Sequence, residues 1–214
     1  MTAKRVENYL GKEGILSSQF EGFEYRSQQM DMAGAVEAAF DNANHLIVEA
    51  GTGTGKSLAY LIPAILWAVA NNKKVVISTY TKTLQHQILN HDIPFLRDQL
   101  GLDFRYALCM GNENYLSRRR LKRSAQAGLF TQETEENQWE GIFNWAEETE
   151  TGFRSDLPFE VLPQVWEEVG RQKDLCLGKS CETHSSCFYF KARKKWFGAH
   201  LLIVNHHLFF ANVA

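Results

Sequence analysis

The sequence predicts an α/β fold in which helices cover both faces of a parallel sheet, and a mostly helical, cysteine-containing insertion interrupts that sheet. Three observations support this prediction. A glycine-rich turn joins an apolar run to a long apolar helix pattern, β-branched runs alternate with helical patterns, and the composition changes after Gly111. Alternating strands and helices imply parallel strands joined by right-handed crossovers. The 214 residues, 44% of them apolar, are enough for a sizeable core.

The individual elements follow from local patterns. Ser27–Phe40 has apolar residues at helical spacing, and His45–Val48 is predicted as the strand that precedes the glycine-rich turn. Leu58–Ala70 is predicted as a helix that Pro63 kinks or locally rearranges. The later predictions are a helix over Thr83–Leu100, interrupted near Pro94, and strands at Lys74–Ser78, Phe104–Met110 and His200–Val204. The predicted organisation is a first domain over 1–110, an insertion over 111–197, and a return to the sheet over 198–214.

The glycine-rich turn has the pattern of a Walker A phosphate loop, with Ala50 where glycine is usual. Such a loop at a helix N-terminus directs backbone N–H groups and the positive end of the helix dipole at a phosphate. Lys56 is predicted to reach the β- and γ-phosphate oxygens, and Ser57 to offer its hydroxyl to Mg²⁺. The predicted nucleotide-binding residues of the loop are Ala50, Gly51, Thr52, Gly53, Thr54, Gly55, Lys56 and Ser57, of which Lys56 and Ser57 are the catalytic candidates.

Charge and composition limit the binding partners and the cellular location that the sequence allows. The net charge of −2 gives no bulk electrostatic case for nucleic acid, so any binding surface must be a local patch. The longest apolar run, Leu58–Ala70, is too short to span a bilayer, and residues 1–9 have no signal-peptide core. We therefore expect a cytoplasmic protein without membrane contact, whose four cysteines are thiols or metal ligands.

Three of the cysteines, Cys176, Cys181 and Cys187, lie close together with His184 among them. Thiolates at this spacing can converge on an iron–sulfur cluster or on zinc. Zinc would take the three cysteines and His184 as a tetrahedral set. The spacing alone does not decide between an iron–sulfur cluster and a zinc site.

Several motifs in order resemble the DinG and XPD-like superfamily 2 DNA helicases, most closely the bacterial DinG branch. The resemblance covers essentially the whole chain and rests on Phe23–Met30, Glu49–Tyr60, Ser78–Gln85, Gly111–Leu116, the cysteine trio with Cys187–Arg193, and Val204–His207. It implies a RecA-like P-loop domain that binds ATP and Mg²⁺. It places Arg26 and Gln29 in the adenine-reading Q-motif, and Thr79, Thr81 and Gln85 in motif Ia, which contacts DNA phosphates. Strand-end capping is the alternative role for the threonines.

The resemblance also implies that the insertion is a [4Fe-4S] domain. Its first ligand position is Ser117 here, while Cys176, Cys181 and Cys187 are in register with the other three. Serine is a poor cluster ligand because its hydroxyl loses a proton far less readily than a thiol. Three alternatives follow: a cluster completed by Ser117 or Cys109, a Zn²⁺ site with His184, or a vacant site.

By resemblance, the whole protein is expected to be a monomeric ATP-dependent helicase that moves 5′ to 3′ on single-stranded or forked DNA. Arg118, Arg119 and Arg120 begin a basic run and are the candidates for a DNA backbone contact; solvated helix surface is the alternative. The chain contains no Asp-Glu pair for a Walker B box. It is therefore expected to be an N-terminal portion that binds ATP weakly and does not hydrolyse it alone. A non-catalytic nucleotide- or DNA-binding module that regulates a partner is the runner-up, and a P-loop ATPase unrelated to DNA is a third possibility.

Overall fold

The computed structural model describes residues 6–101, 103–127, 129–130 and 132–211. These residues form two compact units. Unit 1 comprises the described residues up to Leu108 together with those from Gly198 onward, and unit 2 is Cys109–Phe197. Each unit has its own hydrophobic core.

Unit 1 begins with two short helices, and two long helices then pack against each other. These elements are α1 (Glu7–Leu10), α2 (Ile15–Gln19), α3 (Ser27–Asn42) and α4 (Lys56–Asn71). The helix predicted over residues 27–40 is confirmed. Between α3 and α4, Phe40 stacks on Trp67 with the ring centroids 5.1 Å apart. α4 continues through Pro63 as one helix.

A three-stranded sheet follows, with its strands in the order β1, β3, β2. The strands are β1 (Val75–Thr79), β2 (Tyr106–Cys109) and β3 (Leu201–Asn205), and the short helix α11 (His206–Ala211) comes after β3. β1 and β3 are parallel, with Val75 opposite Leu201 and Thr79 opposite Asn205. The predicted α/β class with a parallel sheet is confirmed, as are the three strands predicted on either side of the insertion.

The segment predicted as the strand before the glycine-rich turn does not pair. His45–Val48 forms no strand, and the Ile47 side chain is 98% exposed. A strand depends on backbone hydrogen bonds to a neighbour. None of the three described strands is that neighbour. The prediction of a strand at His45–Val48 is wrong for this structure, because an apolar sequence does not replace a pairing partner.

The helical stretch after β1 changes its winding where the sequence predicts an interruption. Its parts are α5 (Lys82–Gln87), a π-helical turn (Ile88–Asp92) and α6 (Ile93–Leu100), which follow one another directly. Proline lacks an N–H, and its ring crowds the carbonyl four residues earlier. The wider turn immediately before Pro94 accommodates both effects. Pro94 therefore produces a local widening rather than a break.

Unit 2 is mostly helical. Its helices are α7 (Arg118–Ala127), α8 (Glu133–Glu148), α9 (Pro163–Val169) and α10 (Phe188–Gly198). Two isolated bridges, Tyr115 with Phe153 and Leu116 with Gly170, connect the loops to each other. Tyr115 and Leu116 are fully buried at the centre of the core. In the described part of the chain, no helix is both long enough and apolar enough to cross a membrane.

Candidate functional site

The glycine-rich loop runs directly into the first turn of α4, where unpaired N–H groups and the helix dipole attract anions. Gly53 and Gly55 have φ angles of 77° and 73°, in the left-handed region that favours glycine. The Thr54 hydroxyl donates to the Gly51 carbonyl at 3.0 Å. Gly51, Thr52 and Gly53 are exposed. The loop is thus a short, internally bonded turn that is open to solvent at a helix N-terminus.

Lys56 folds back onto this loop. Its ammonium donates to the carbonyl oxygens of Ala50, at 3.1 Å, and of Gly51, at 2.5 Å. Phosphate oxygens carry a full negative charge and are stronger partners for an ammonium than neutral carbonyls. A phosphate bound in the loop would therefore compete successfully for the Lys56 ammonium.

Two side chains at the start of α3 brace the loop. Gln29, which is 5% exposed, donates from Nε2 to the Gly55 carbonyl at 2.9 Å, and Arg26 donates to the Gly53 carbonyl. A Cβ atom on Gly55 would lie 2.1 Å from Gln29 Nε2. Only glycine at that position permits this contact. The adenine-reading role of Arg26 and Gln29 stays a prediction, since their hydrogen bonds here go to the phosphate loop.

Replacing Gln29 by alanine is expected to weaken ATP binding about fivefold, because the loss of one buried hydrogen bond costs about 1 kcal/mol. The Gly55 carbonyl would lose its donor, and the loop would lose its connection to α3. Isothermal titration of ATP into each purified variant measures the effect. Gln28→Ala is the matched control, since Gln28 is exposed on the same helical turn. Equal affinities for the two variants would contradict the bracing role.

The polar residues predicted for motif Ia are buried or form hydrogen bonds within the protein. The Thr81 hydroxyl accepts from the Leu84 N–H at 3.2 Å and caps the start of α5, so Thr81 has a capping role, at a helix rather than at the end of a strand. Thr79, 4% exposed, donates to the Thr81 carbonyl at 3.3 Å. Gln85 is 3% exposed, and its Nε2 has no hydrogen-bond partner among the described residues. Their contacts to DNA phosphates stay predictions.

Two ionisable side chains near the loop serine were not predicted from the sequence. Burial raises the pKa of Asp92, the last residue of the π-helical turn, and of Tyr60 in the next turn of α4, and the nearby Ser57 hydroxyl acts against both rises. At Asp92, the neighbouring Gln87 side chain and the charge of His91 also act to lower the pKa. No local sequence pattern marks Asp92, because only folding brings it near Ser57.

The carboxyl ends of β1 and β3 are tied together by side chains. Ser78 Oγ lies 2.6 Å from His206 Nδ1, and the Asn205 amide donates to the Tyr80 carbonyl at 2.9 Å. Tyr80 itself is 70% exposed. The segment Val204–His207 therefore fixes the end of the sheet that carries Thr79.

The first three arginines of α7 are hydrogen-bonded within unit 2. Their guanidinium groups donate to backbone carbonyls, from Arg118 to Ala146, from Arg119 to Leu175, and from Arg120 to Glu167 and Glu168. Arg118 also pairs with the Glu147 carboxylate at 2.7 Å. A DNA contact through these arginines would have to compete with bonds that hold the unit together. That contact stays a prediction.

The clustered cysteines of unit 2 surround one small cavity of about 30 Å³. Its lining includes Cys176, Cys181, Cys187, His184 and Ser117. Burial acts to raise the pKa of the Cys176 thiol, but the Gly178 N–H and the charges of Arg171 and Arg119 outweigh it and lower that pKa. The thiols thus share one electropositive pocket.

This pocket does not fit the four-ligand metal site that the resemblance implies. Among the described residues, no group of three or more His, Cys, Asp or Glu side chains is arranged to hold a metal ion. Ser117 accepts from the Arg120 N–H at 3.4 Å, at the start of α7, and Cys109 is not among the residues that line the cavity. Three thiols without a fourth strong ligand do not match an iron–sulfur site, and His184 does not complete a zinc site with them.

A phosphate loop at the first turn of a helix, beside a parallel sheet, defines the class of P-loop nucleotide-binding proteins. Residues 29–145 match the model of the DEAD/DEAH box helicase family. This match spans more than half of the chain, and the chain belongs to that family.

Named relatives cover most of this chain. It is 36% identical over 217 residues to the ATP-dependent DNA helicase YoaA of Haemophilus influenzae, covering 98% of this chain and 32% of that protein. It is 36% identical over 204 residues to the ATP-dependent helicase DinG of Mycobacterium tuberculosis, covering 86% of this chain and 30% of that protein. The chain is also 32% identical over 208 residues to the 3′-5′ exonuclease DinG of Bacillus subtilis, covering 92% of this chain and 21% of that protein. The chain thus spans about a third or less of the length of these relatives.

Proposed function

We propose that this chain is the ATP-binding portion of an ATP-dependent DNA helicase. The observation that carries the proposal is the loop at the start of α4, which Lys56 closes and Gln29 braces. Membership of the DEAD/DEAH box helicase family supports it, as do relatives whose names are ATP-dependent helicases. No observation favours the non-catalytic module over the enzyme.

Each group of the proposed site has a separate task. The loop N–H groups and the helix dipole hold the phosphates, and Gln29 and Arg26 keep the loop in shape. The Lys56 ammonium exchanges its carbonyl partners for β- and γ-phosphate oxygens, which are stronger acceptors. Ser57 would hold Mg²⁺, and the bound ion would neutralise charge on the phosphate being transferred.

Hydrolysis also needs groups that this chain does not supply. It contains no Asp-Glu pair to hold the metal and orient water. We propose that this pair and a second RecA-like domain lie elsewhere in the intact protein. This chain alone would then bind ATP weakly and not turn it over.

For DNA, the proposed contacts are Thr79, Thr81 and Gln85, which lie at the carboxyl end of β1 and the start of α5. The buried Gln85 amide nitrogen has no hydrogen-bond partner in the described part of the chain, and a phosphate oxygen would supply one. The substrate is single-stranded or forked DNA, and the direction 5′ to 3′. No iron–sulfur cluster or zinc ion takes part in this proposal. A monomeric state and a cytoplasmic location stay predictions.

The proposal is tested by strand separation with the intact protein. We expect Mg²⁺ and ATP to support unwinding of a DNA duplex that has a 5′ single-stranded tail. A duplex with only a 3′ tail should stay paired, because the predicted movement would carry the protein away from the junction. Release of a fluorescent strand measures both, with a blunt duplex as control. Unwinding from the 3′ tail would contradict the polarity, and failure of every substrate with active, ATP-binding protein would contradict the helicase.

A further inference from the structure

Three aromatic rings lie together at the carboxyl ends of β1 and β3. They belong to Tyr80, which directly follows β1, and to His206 and His207 at the start of α11. The Tyr80 ring centroid is 6.2 Å from that of His206 and 6.0 Å from that of His207. Tyr80 is 70% exposed, and His207 is exposed as well. The three rings therefore form one surface, the aromatic patch, that is open to solvent.

Side-chain hydrogen bonds hold the backbone beneath the aromatic patch. The Asn205 amide donates to the Tyr80 carbonyl at 2.9 Å, and the Asn205 Oδ1 accepts from the His207 N–H at 2.9 Å. Ser78 Oγ lies 2.6 Å from His206 Nδ1. A surface that is already ordered loses little conformational entropy when it binds a ligand. The aromatic patch is thus suited to binding without rearrangement of its backbone.

The segments that carry the aromatic patch favour a polyanion. Residues 75–91 and 201–211 contain no Asp or Glu, although the chain has 25 acidic residues. Helix α5 packs against both β1 and β3, and its buried Gln85 has an amide nitrogen without a hydrogen-bond partner in the described part of the chain. In open α/β sheets, ligands bind at the carboxyl ends of the strands. A phosphate backbone that passed this end of the sheet would meet no acidic side chain from these two segments.

A nucleic-acid base is the partner that suits the Tyr80 ring. Because this ring is mostly exposed, it adds little apolar burial to the core of unit 1. An exposed aromatic ring offers a face on which a base can stack, and every base has such a face. In a duplex the bases are stacked on one another, so only a single strand presents a base face to a protein.

We propose that Tyr80 stacks on a base of single-stranded DNA, with His206 and His207 supporting the ring from the side. The inference rests on the proposed function, because it needs single-stranded DNA at this end of the sheet. It adds a contact to a base, whereas the contacts proposed for Thr79, Thr81 and Gln85 are to phosphates. Stacking on any base gives affinity without sequence preference.

The test compares two fluorescent oligonucleotides of equal length, one of thymidines and one of abasic sites, by anisotropy with the intact protein. Tyr80→Ala is expected to weaken binding of the thymidine strand about tenfold, the usual effect of losing one stacked base, and to leave binding of the abasic strand unchanged. The salt dependence should stay the same, because no phosphate contact is lost. Tyr80→Phe keeps the ring and should bind as the wild type does. Phe143→Ala, an exposed aromatic residue on α8 in unit 2, is the matched control.

The outcomes separate this inference from the proposed function. If the wild-type protein binds neither strand, the proposed DNA binding is wrong and the inference fails with it. If the wild type binds DNA and Tyr80→Ala weakens both strands equally, or neither, only the stacking inference fails. Should Tyr80→Ala not fold, Tyr80→Leu decides, because leucine keeps apolar bulk without a flat ring: wild-type affinity for the thymidine strand overturns the inference.

Discussion

Replacing Lys56 by alanine is expected to lower DNA-stimulated ATP hydrolysis by the intact protein about 100-fold or more, the usual loss when a charged group that stabilises the transition state is removed. The Lys56 ammonium is the positive side chain that lies directly on the loop carbonyls of Ala50 and Gly51. Steady-state phosphate release at saturating single-stranded DNA measures the effect.

Folding should be almost unaffected by Lys56→Ala, because the lysine is only half-buried and its partners in the fold are loop carbonyls. Lys73→Ala is the matched control, since Lys73 is exposed just beyond the other end of α4. If the Lys56→Ala variant hydrolyses ATP at the wild-type rate and has an unchanged melting temperature, the loop has no role in ATP hydrolysis.

The largest effect on stability is expected from Gly152→Ala in unit 2. Gly152 is buried with φ of 65°, and a Cβ atom there would lie 2.4 Å from the ring of Phe188. Phe188 is 2% exposed and has no open space to move into. The left-handed conformation and the overpacking together should cost about 2–5 kcal/mol of the free energy of unfolding.

Urea unfolding followed by tryptophan fluorescence measures this loss. Four of the five tryptophans lie in unit 2, at Trp139, Trp145, Trp166 and Trp196. Gly178→Ala is the control, because Gly178 has φ of 58° with no atom within 4 Å of its Cβ position. It should lose only the conformational part, about 1–2 kcal/mol. Equal losses for the two variants would show that the Phe188 contact relaxes without cost.

The parts of the site that were predictable from sequence are those encoded locally. Helix α3 follows from apolar spacing, and the loop follows from glycines placed before a lysine, because the backbone conformation there depends on the residues themselves. Gln29 was identified only through the resemblance, and its contact with Gly55 depends on how α3 packs against α4.

What could not be predicted depends on partners distant in sequence. Pro94 marks an irregular helix, but the sequence does not specify a π-helical turn that ends at Asp92, near Ser57. Likewise, the basic run at Arg118–Arg120 gives no sign that its guanidinium groups bind carbonyls within unit 2. Charge patterns report composition, whereas the direction of a long side chain is decided by packing.

The unpaired run before the phosphate loop affects how the chain behaves in solution. Leu46, Ile47 and Val48 are all exposed, beside backbone groups that no described strand pairs with. Exposed apolar residues next to free N–H and C=O groups are a template for adding a strand from another molecule. At high concentration, copies of the chain by itself can therefore self-associate through this segment. A neighbouring strand paired with Leu46–Val48 would suppress that association. It would also restrict the motion of the residues that lead into the phosphate loop.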